Sequence, residues 1–325
     1  MTIKAGIFIL TQNTTERKTY LKTSLYFLFR HFNSKFKYPV IILHEKDYDE
    51  KSKQEIIQSV RESCRSLISF KEIDENDFVV PSHISMDKLK EIVAIQPVPY
   101  WRSIRYRQMC YFWVKHFIKY TEGFDYVMRL DDDSLIEENI QKDIFETMVN
   151  KNLVYVSNIL HVDCGLCNYG MKDMFKQLFP DKLETIEKKG LFVDSKLPDN
   201  NEVFSKFKKV YEIVNDKSYT QTDFKTEMPL MYYNNFFATS TEFWKQENVK
   251  ELIDKIDENG GIFYYRYGDA PIQTLLVTLL SPDQISRVVF KYSKRLQREV
   301  FIDSENQFHS YMPKTYDQSS CILQK

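Results

Sequence analysis

Three consecutive carboxylates, Asp131-Asp132-Asp133, close the short apolar run Tyr126-Val127-Met128-Arg129-Leu130. Acids set side by side repel one another, and a turn needs only one Asp or Asn, so a cation is the economical reason for the trio. A hard divalent ion fits. Mn²⁺ or Mg²⁺ takes one or two carboxylates from the protein and fills its remaining positions with water and the phosphate oxygens of a substrate. Side chains of an extended segment alternate in direction, so Asp131 and Asp133 are the expected ligands, Asp133 the more direct, and Asp132 is expected to point away. The competing reading is a solvated acidic turn.

Other residues suit the diphosphate that such an ion would hold. Arg102, Arg105 and Arg107 precede the acids on one aromatic-rich helix, Tyr100 to Tyr120, where guanidinium groups can neutralise phosphates and Tyr106 can stack on a base or bond to it. Thr11, at the exit of the first strand, is placed beside the same donor. The competing reading makes these arginines solvated and leaves Tyr111, Phe112, Trp113 and Phe117 as core. Asp269 stands where a helix begins, behind Tyr265-Arg266-Tyr267-Gly268. It reads either as a plain helix cap with proline in the first turn or as an orienting carboxylate beside Arg266, with Tyr265, Tyr267 and Asn235 as a sugar-binding shelf. Cys164-x-x-Cys167, with His161 and Asp163, lacks the second pair of ligands at fixed spacing that a structural zinc site needs.

These groups must be positioned by alternating strands and helices. Ala5 to Leu10 reads as a buried strand, followed by a polar loop and a helix with Leu21, Leu25, Leu28 and Phe32 on one face. Asn13-Thr14-Thr15 matches a glycosylation sequon but fits helix capping better. Tyr38 to Leu43 and the amphipathic stretch Asp49 to Ser63 complete a second βα unit, as in a mostly parallel Rossmann-like sheet. Residues 70 to 100 read as a loop with one short helix, 153 to 160 as a strand, and 181 to 228 as a charged helical subdomain. Residues 231 to 239 read as one strand, and a helix over 242 to 258 ends at Gly260-Gly261. The expected class is α/β, a mixed and mostly parallel sheet with helices on both faces. Residues 1–325 form one domain in this reading, nucleotide-binding to about residue 135 and acceptor-binding beyond it.

Composition narrows the function. With 45 basic and 46 acidic residues interspersed, the chain has no electrostatic footprint for nucleic acid. Five cysteines, an odd and small number, suit a reduced compartment better than a disulfide framework. No apolar run approaches the roughly 18 residues that a membrane span needs.

Several blocks then carry a family resemblance. Gly261-Ile262-Phe263-Tyr264-Tyr265-Arg266-Tyr267-Gly268-Asp269-Ala270-Pro271 resembles the Gly-Gly-Phe-Phe-Tyr-Glu-Arg-Trp-Gly-Asp-Ala-Pro stretch of the fungal α-1,2-mannosyltransferases, the glycolipid 2-α-mannosyltransferase family. Phe32 to Pro39 is similar to that family's Phe-Asn-x-Lys-Phe-x-Tyr-Pro, Tyr106-Arg107-Gln108-Met109-Cys110 to its Tyr-Arg-x-Met-Cys, and Asn235-Phe236 with Phe243-Trp244 to its Asn-Phe-Glu-Ile and Phe-Trp. The blocks fall in order from about residue 5 to about residue 290. The resemblance implies a GT-A fold and a retaining, metal-dependent transfer of mannose from GDP-mannose to the 2-hydroxyl of a mannoside or to another glycan or glycoprotein acceptor. It implies that Tyr106 faces the nucleotide and that Asp131 takes the place of a metal-binding Glu.

The chain departs from the family at three points. Its proposed nucleophilic Glu falls on Phe237, its Arg after Met-Cys is Tyr111, and its metal-binding His has His309 as the nearest counterpart. Two alternatives follow: a GT-A enzyme using another nucleotide sugar, or a sugar- or nucleotide-binding protein that kept the fold without the chemistry. Members of the family are usually anchored in the Golgi, so the expected location is cytoplasmic if this chain is the native whole, and otherwise that of a lumenal catalytic domain.

Overall fold

The computed structural model describes residues 3–188, 190–195, 201–220, 226–294, 299–302 and 308–311. Its centre is a seven-stranded sheet. The apolar segments β1 (Ala5–Leu10) and β2 (Val40–His44) lie parallel in it, because runs with both faces apolar can be buried only between two layers. β3 (Ile68–Glu72) continues the parallel set on one side and β4 (Tyr126–Leu130) on the other. β3 was not legible in the sequence as a strand. It is an edge strand of which only Ile68 is fully buried, so apolar content is weak there.

Beyond β4 the sheet runs through β10 (Phe236–Ser240) and β6 (Tyr155–Ser157) to β11 (Ile285–Arg287), and β10 is antiparallel to both of its neighbours. β5 (Ser134–Ile136) leaves the sheet directly after the acids and pairs antiparallel with β12 (Tyr292–Lys294), placing Ser134 opposite Lys294. The stretch expected as one strand over 231 to 239 is two. β9 (Thr226–Tyr232) forms a small antiparallel sheet with β7 (Leu160–Val162) and β8 (Phe192–Ser195), and β10 follows a turn at Tyr233-Asn234-Asn235. The region 181 to 228 therefore contains strands as well as the helix Asn201–Asn215. A final pair, β13 (Glu299–Ile302) and β14 (Phe308–Tyr311), lies apart from the main sheet.

Helices cover both faces. Period-2 alternation sends Ile7, Ile9, Val40 and Ile42 against the helices Thr15–Leu28 and Ile144–Asn150, while Phe8, Ile41 and Leu43 meet Met86–Ile95 and Ile104–Tyr111 on the other side. Thr14 caps the first helix, its hydroxyl accepting from the Arg17 amide, and Asp49 caps Glu50–Gln58 through Ser52. The expected helix after residue 240 is broken into Thr241–Lys245 and Glu247–Asn259, and the second ends at Gly260 with φ +72°, a left-handed backbone that only glycine adopts without penalty. Among the described residues no helix is long and apolar enough to cross a membrane.

Candidate active site

β4 and β10 run antiparallel past one another, and this register assembles the site. Phe237 pairs with Arg129, the next pair outward joins Phe236 to Leu130, and the Asp131 amide donates to the Asn235 carbonyl at 2.9 Å. Both chain ends then emerge at one edge of the sheet, and the helix Asp269–Leu280 begins beside them. The result is a cleft of about 750 Å³ whose walls include Arg102, Tyr106, Arg129, Asp131, Asp133, Asn235, Arg266, Asp269 and Lys294.

Its floor is a network of charges. Arg129 is 3% exposed, and its guanidinium bridges two acids, Nε to Asp131 Oδ1 at 2.9 Å and Nη1 to Asp269 Oδ2 at 2.5 Å. The same Asp269 oxygen accepts from Asn234 Nδ2 at 2.7 Å, and the Arg129 guanidinium lies 4.1 Å from the Trp113 ring centre. The second Asp131 oxygen accepts from Asn235 Nδ2 at 2.7 Å and faces Lys294 Nζ at 3.1 Å; Lys294 Nζ is also 3.1 Å from Asp133 Oδ1. Burial pushes the Asp131 carboxyl up, but Arg129 and then Lys294 outweigh it and hold it at about 2. Burial likewise opposes the charge on Lys294, yet Asp131 and Asp133 keep the ammonium well above the ordinary lysine range.

Asp132 turns away from the pair, at the tip of a tight turn closed by the Ser134 amide donating to the Asp131 carbonyl at 3.0 Å. It is buried, accepts from Thr11 Oγ1 at 2.8 Å and pairs with Arg17 at 2.7 Å. Burial is the largest influence on it, and with the neighbouring acids it pushes the carboxyl up to about 7 against the pull of Arg17. Thr11 is itself 2% exposed, so its hydroxyl supports Asp132 and is not offered to a donor.

Several sequence expectations are corrected by placement. Arg107 is fully buried and donates to the Phe263 carbonyl at 2.8 Å and to Gln96 Oε1 at 2.7 Å, so it is a core residue and cannot touch a phosphate. Arg105 pairs with Glu45 over the Phe78 ring in a neighbouring groove, outside the cleft. Tyr265 and Tyr267 stack on each other in the interior, bonding to Asn215 Oδ1 and to the Tyr169 carbonyl, and offer no shelf to a sugar. Asp269 is not the helix cap: Gly268 holds that position, and the carboxylate turns back to Arg129 and Asn234. His309 lies in β14, and its side chain is outside the described residues.

Tyr106 lines the cleft with the Arg102 guanidinium 5.6 Å from its ring centre, and Arg102 donates to the carbonyls of Pro99 and Trp101. Arg266 also lines it. Its backbone is left-handed at φ +81°, a strained state for a residue with a side chain, and the Gly261 carbonyl enforces it by accepting the amides of Tyr265, Arg266 and Tyr267 together. The side chain is buried against Asp163, 3.6 Å from Oδ1, and beside the Cys167 thiol, and both keep the guanidinium charged in the cleft wall. A Cβ on Gly261 would overlap the Tyr267 ring. Gly261→Ala is therefore expected to cost about 3 kcal/mol, and chemical denaturation checks it.

The acids fit a hard divalent ion. Asp131 Oδ2 and Asp133 Oδ1 converge on one point, at which the Lys294 ammonium stands 3.1 Å from each. No cluster of three or more His, Cys, Asp or Glu suited to a metal occurs among the described residues. A pair of carboxylates matches an ion that completes its shell from water and diphosphate.

Sequence reasoning did not single out Arg129, Asn234 or Lys294. A charged residue inside a buried strand was a usable signal for Arg129, since arginine is rarely buried unless paired.

The chain is 26% identical over 259 residues to glycolipid 2-alpha-mannosyltransferase 1 of Candida albicans, covering 77% of this chain and 53% of that one. It is 26% identical over 264 residues to O-glycoside alpha-1,2-mannosyltransferase homolog 5 of Schizosaccharomyces pombe, covering 77% and 60%. It thus spans between half and two thirds of these relatives' length. The fold is similar to that of core-mannan synthase A from Aspergillus fumigatus in its Mn/GDP form, with TM-score 0.69 at 21% identity over 90% of this chain and 74% of that one. The mannosyltransferase Ktr4p of S. cerevisiae in complex with GDP gives 0.71 at 19% identity, over 90% and 71%. The fold is thus GT-A, as the sequence blocks implied. With the family model for glycolipid 2-alpha-mannosyltransferases matching residues 2–294, the chain belongs to that family.

Proposed function

We propose that the protein is a retaining, metal-dependent glycosyltransferase that moves mannose from GDP-mannose to a hydroxyl of a mannoside or another glycan, in α-1,2 linkage. Family membership supports the reaction class, the α-1,2-mannosyltransferase relative supports the linkage, and the GDP and Mn/GDP forms of the structural relatives support donor and ion. The observation that carries the reading is the convergence of Asp131 and Asp133 on one point, beside the buried Arg129–Asp269 pair, at the floor of the cleft.

Mn²⁺ or Mg²⁺ held by Asp131 and Asp133 would offset charge on the departing diphosphate. The protein's own groups supply position and field. Tyr106 and Arg102 form the wall for the nucleotide, Arg266 adds positive charge to the same wall, and Asp269, fixed by Arg129 and Asn234, orients the reacting sugar. Phe237 is buried and stacked on Tyr155, so the position to which the resemblance assigns the family's nucleophile carries no carboxylate. Retention then follows from front-face attack. The acceptor oxygen bonds to C1 as the bond from C1 to the phosphate oxygen breaks, and the acceptor proton passes to that departing oxygen.

Asp133→Asn tests the donor site. The variant is expected to lose at least tenfold in Mn²⁺-dependent GDP affinity while its metal-free affinity is unchanged, measured by calorimetric titration with and without the ion. Unchanged metal dependence would remove Asp133 from the site.

A further inference from the structure

We propose that Lys294 is a resident cation on the Asp131–Asp133 seat, so that a divalent ion binds the nucleotide-free protein weakly and enters together with a nucleoside diphosphate. The inference rests on the reading above that these two acids hold the ion. Its basis is the placement of the ammonium: Nζ is 3.1 Å from Asp131 Oδ2 and 3.1 Å from Asp133 Oδ1, at the point on which the two carboxylates converge. An ion on that point meets the ammonium first.

The strand beneath holds Lys294 there. β12 pairs with β5, the Ser134 and Tyr292 hydroxyls are 2.7 Å apart, Ser293 Oγ donates to Glu137, and the Glu137 amide donates to the Lys291 carbonyl at 2.8 Å. Lys294 therefore approaches the acids from a fixed backbone, with its side chain only 14% exposed. Charge explains why it stays. Asp131, Asp133 and Asp269 bring three negative charges to the floor, and Arg129 and Lys294 bring two positive ones. A dication arriving alone would put a further two positive charges beside the ammonium, or drive it away from Asp131 and Asp133. Arriving with a diphosphate, it brings oxygens that can receive the displaced ammonium in a charge-assisted hydrogen bond.

The experiment measures Mn²⁺ binding from the spin-resonance signal of the free ion, with GDP as the nucleotide probe. In the nucleotide-free state Lys294→Gln is expected to bind Mn²⁺ at least tenfold more tightly than wild type, and its melting temperature should rise with Mn²⁺ alone more than that of wild type. Saturating GDP should tighten Mn²⁺ binding to wild type at least tenfold and to the variant by much less. Equal affinity of the two nucleotide-free proteins overturns the proposal. Should the variant not fold, Lys294→Met carries the same comparison, and Mn²⁺ affinity of wild type independent of GDP overturns the proposal. Failure of the underlying metal reading looks different, since Asp133→Asn would then leave Mn²⁺ binding in the presence of GDP unchanged.

Discussion

Arg129→Met is expected to destabilise the protein by about 3–5 kcal/mol, because it strands the buried Asp269 and the partly buried Asp131. Asp131 and Asp269 would each lose the guanidinium that spans them, and Asn234, Asn235 and Lys294 would remain as their partners. Methionine fills much of the volume beside Trp113 and Phe237, so the loss would report on charge more than on packing. Arg129→Lys sharpens the test. Lysine keeps the charge but has no planar fork to reach both acids at once, so its stability should fall between wild type and the methionine variant. Denaturant titration measures all three, and a methionine variant within about 1 kcal/mol of wild type would show that the triad contributes little.

The second large effect is expected on turnover. Asp269→Asn keeps the shape of the side chain but removes the charge that Arg129 and Asn234 orient, and the rate of transfer or of donor hydrolysis should fall by about 10²–10³-fold. The helix would keep its start, since Gly268 is the capping position and Asp269 gives it no side-chain hydrogen bond. Some stability should be lost as well, because Arg129 then keeps a single carboxylate. Stability alone therefore does not separate the roles; turnover per folded molecule does. If the folded variant retains wild-type turnover with unchanged KM, Asp269 is a structural counter-ion for Arg129 and nothing more.

The layered α/β architecture was legible because it is written in local patterns: apolar runs at β1, β2 and β4, capping residues at Thr14 and Asp49, and a glycine at 260 that takes the left-handed turn. That Asp132 points away from its neighbours was expected from strand alternation, but it is a tight turn that sends it inward to Thr11 and Arg17. The burial of Arg107 was legible but was passed over. On a helix it shares a face with Cys110 and Tyr111, both buried, and lies on the opposite side from Arg105. Lys294 was not legible. Its place depends on the register of β12 against β5, a pairing between segments far apart in sequence that no local period encodes. The two readings of Asp269, cap or orienting carboxylate, could not be separated in sequence for a similar reason: its partner is on β4, and a carboxylate at a helix start looks the same whichever way it points.

The antiparallel insertion of β10 beside β4, with Asp269 and Lys294 arriving still later, also bears on how the protein comes into being. A nascent chain that has emerged only as far as Gly260 can already join β4 to β10, yet Arg129 then has Asp131 without Asp269, and the acids have no ammonium between them. Contacts across such sequence separations close slowly, and until they close the chain exposes an incomplete sheet to its neighbours. During synthesis the charge network of the site is therefore complete only after β12 has left the ribosome.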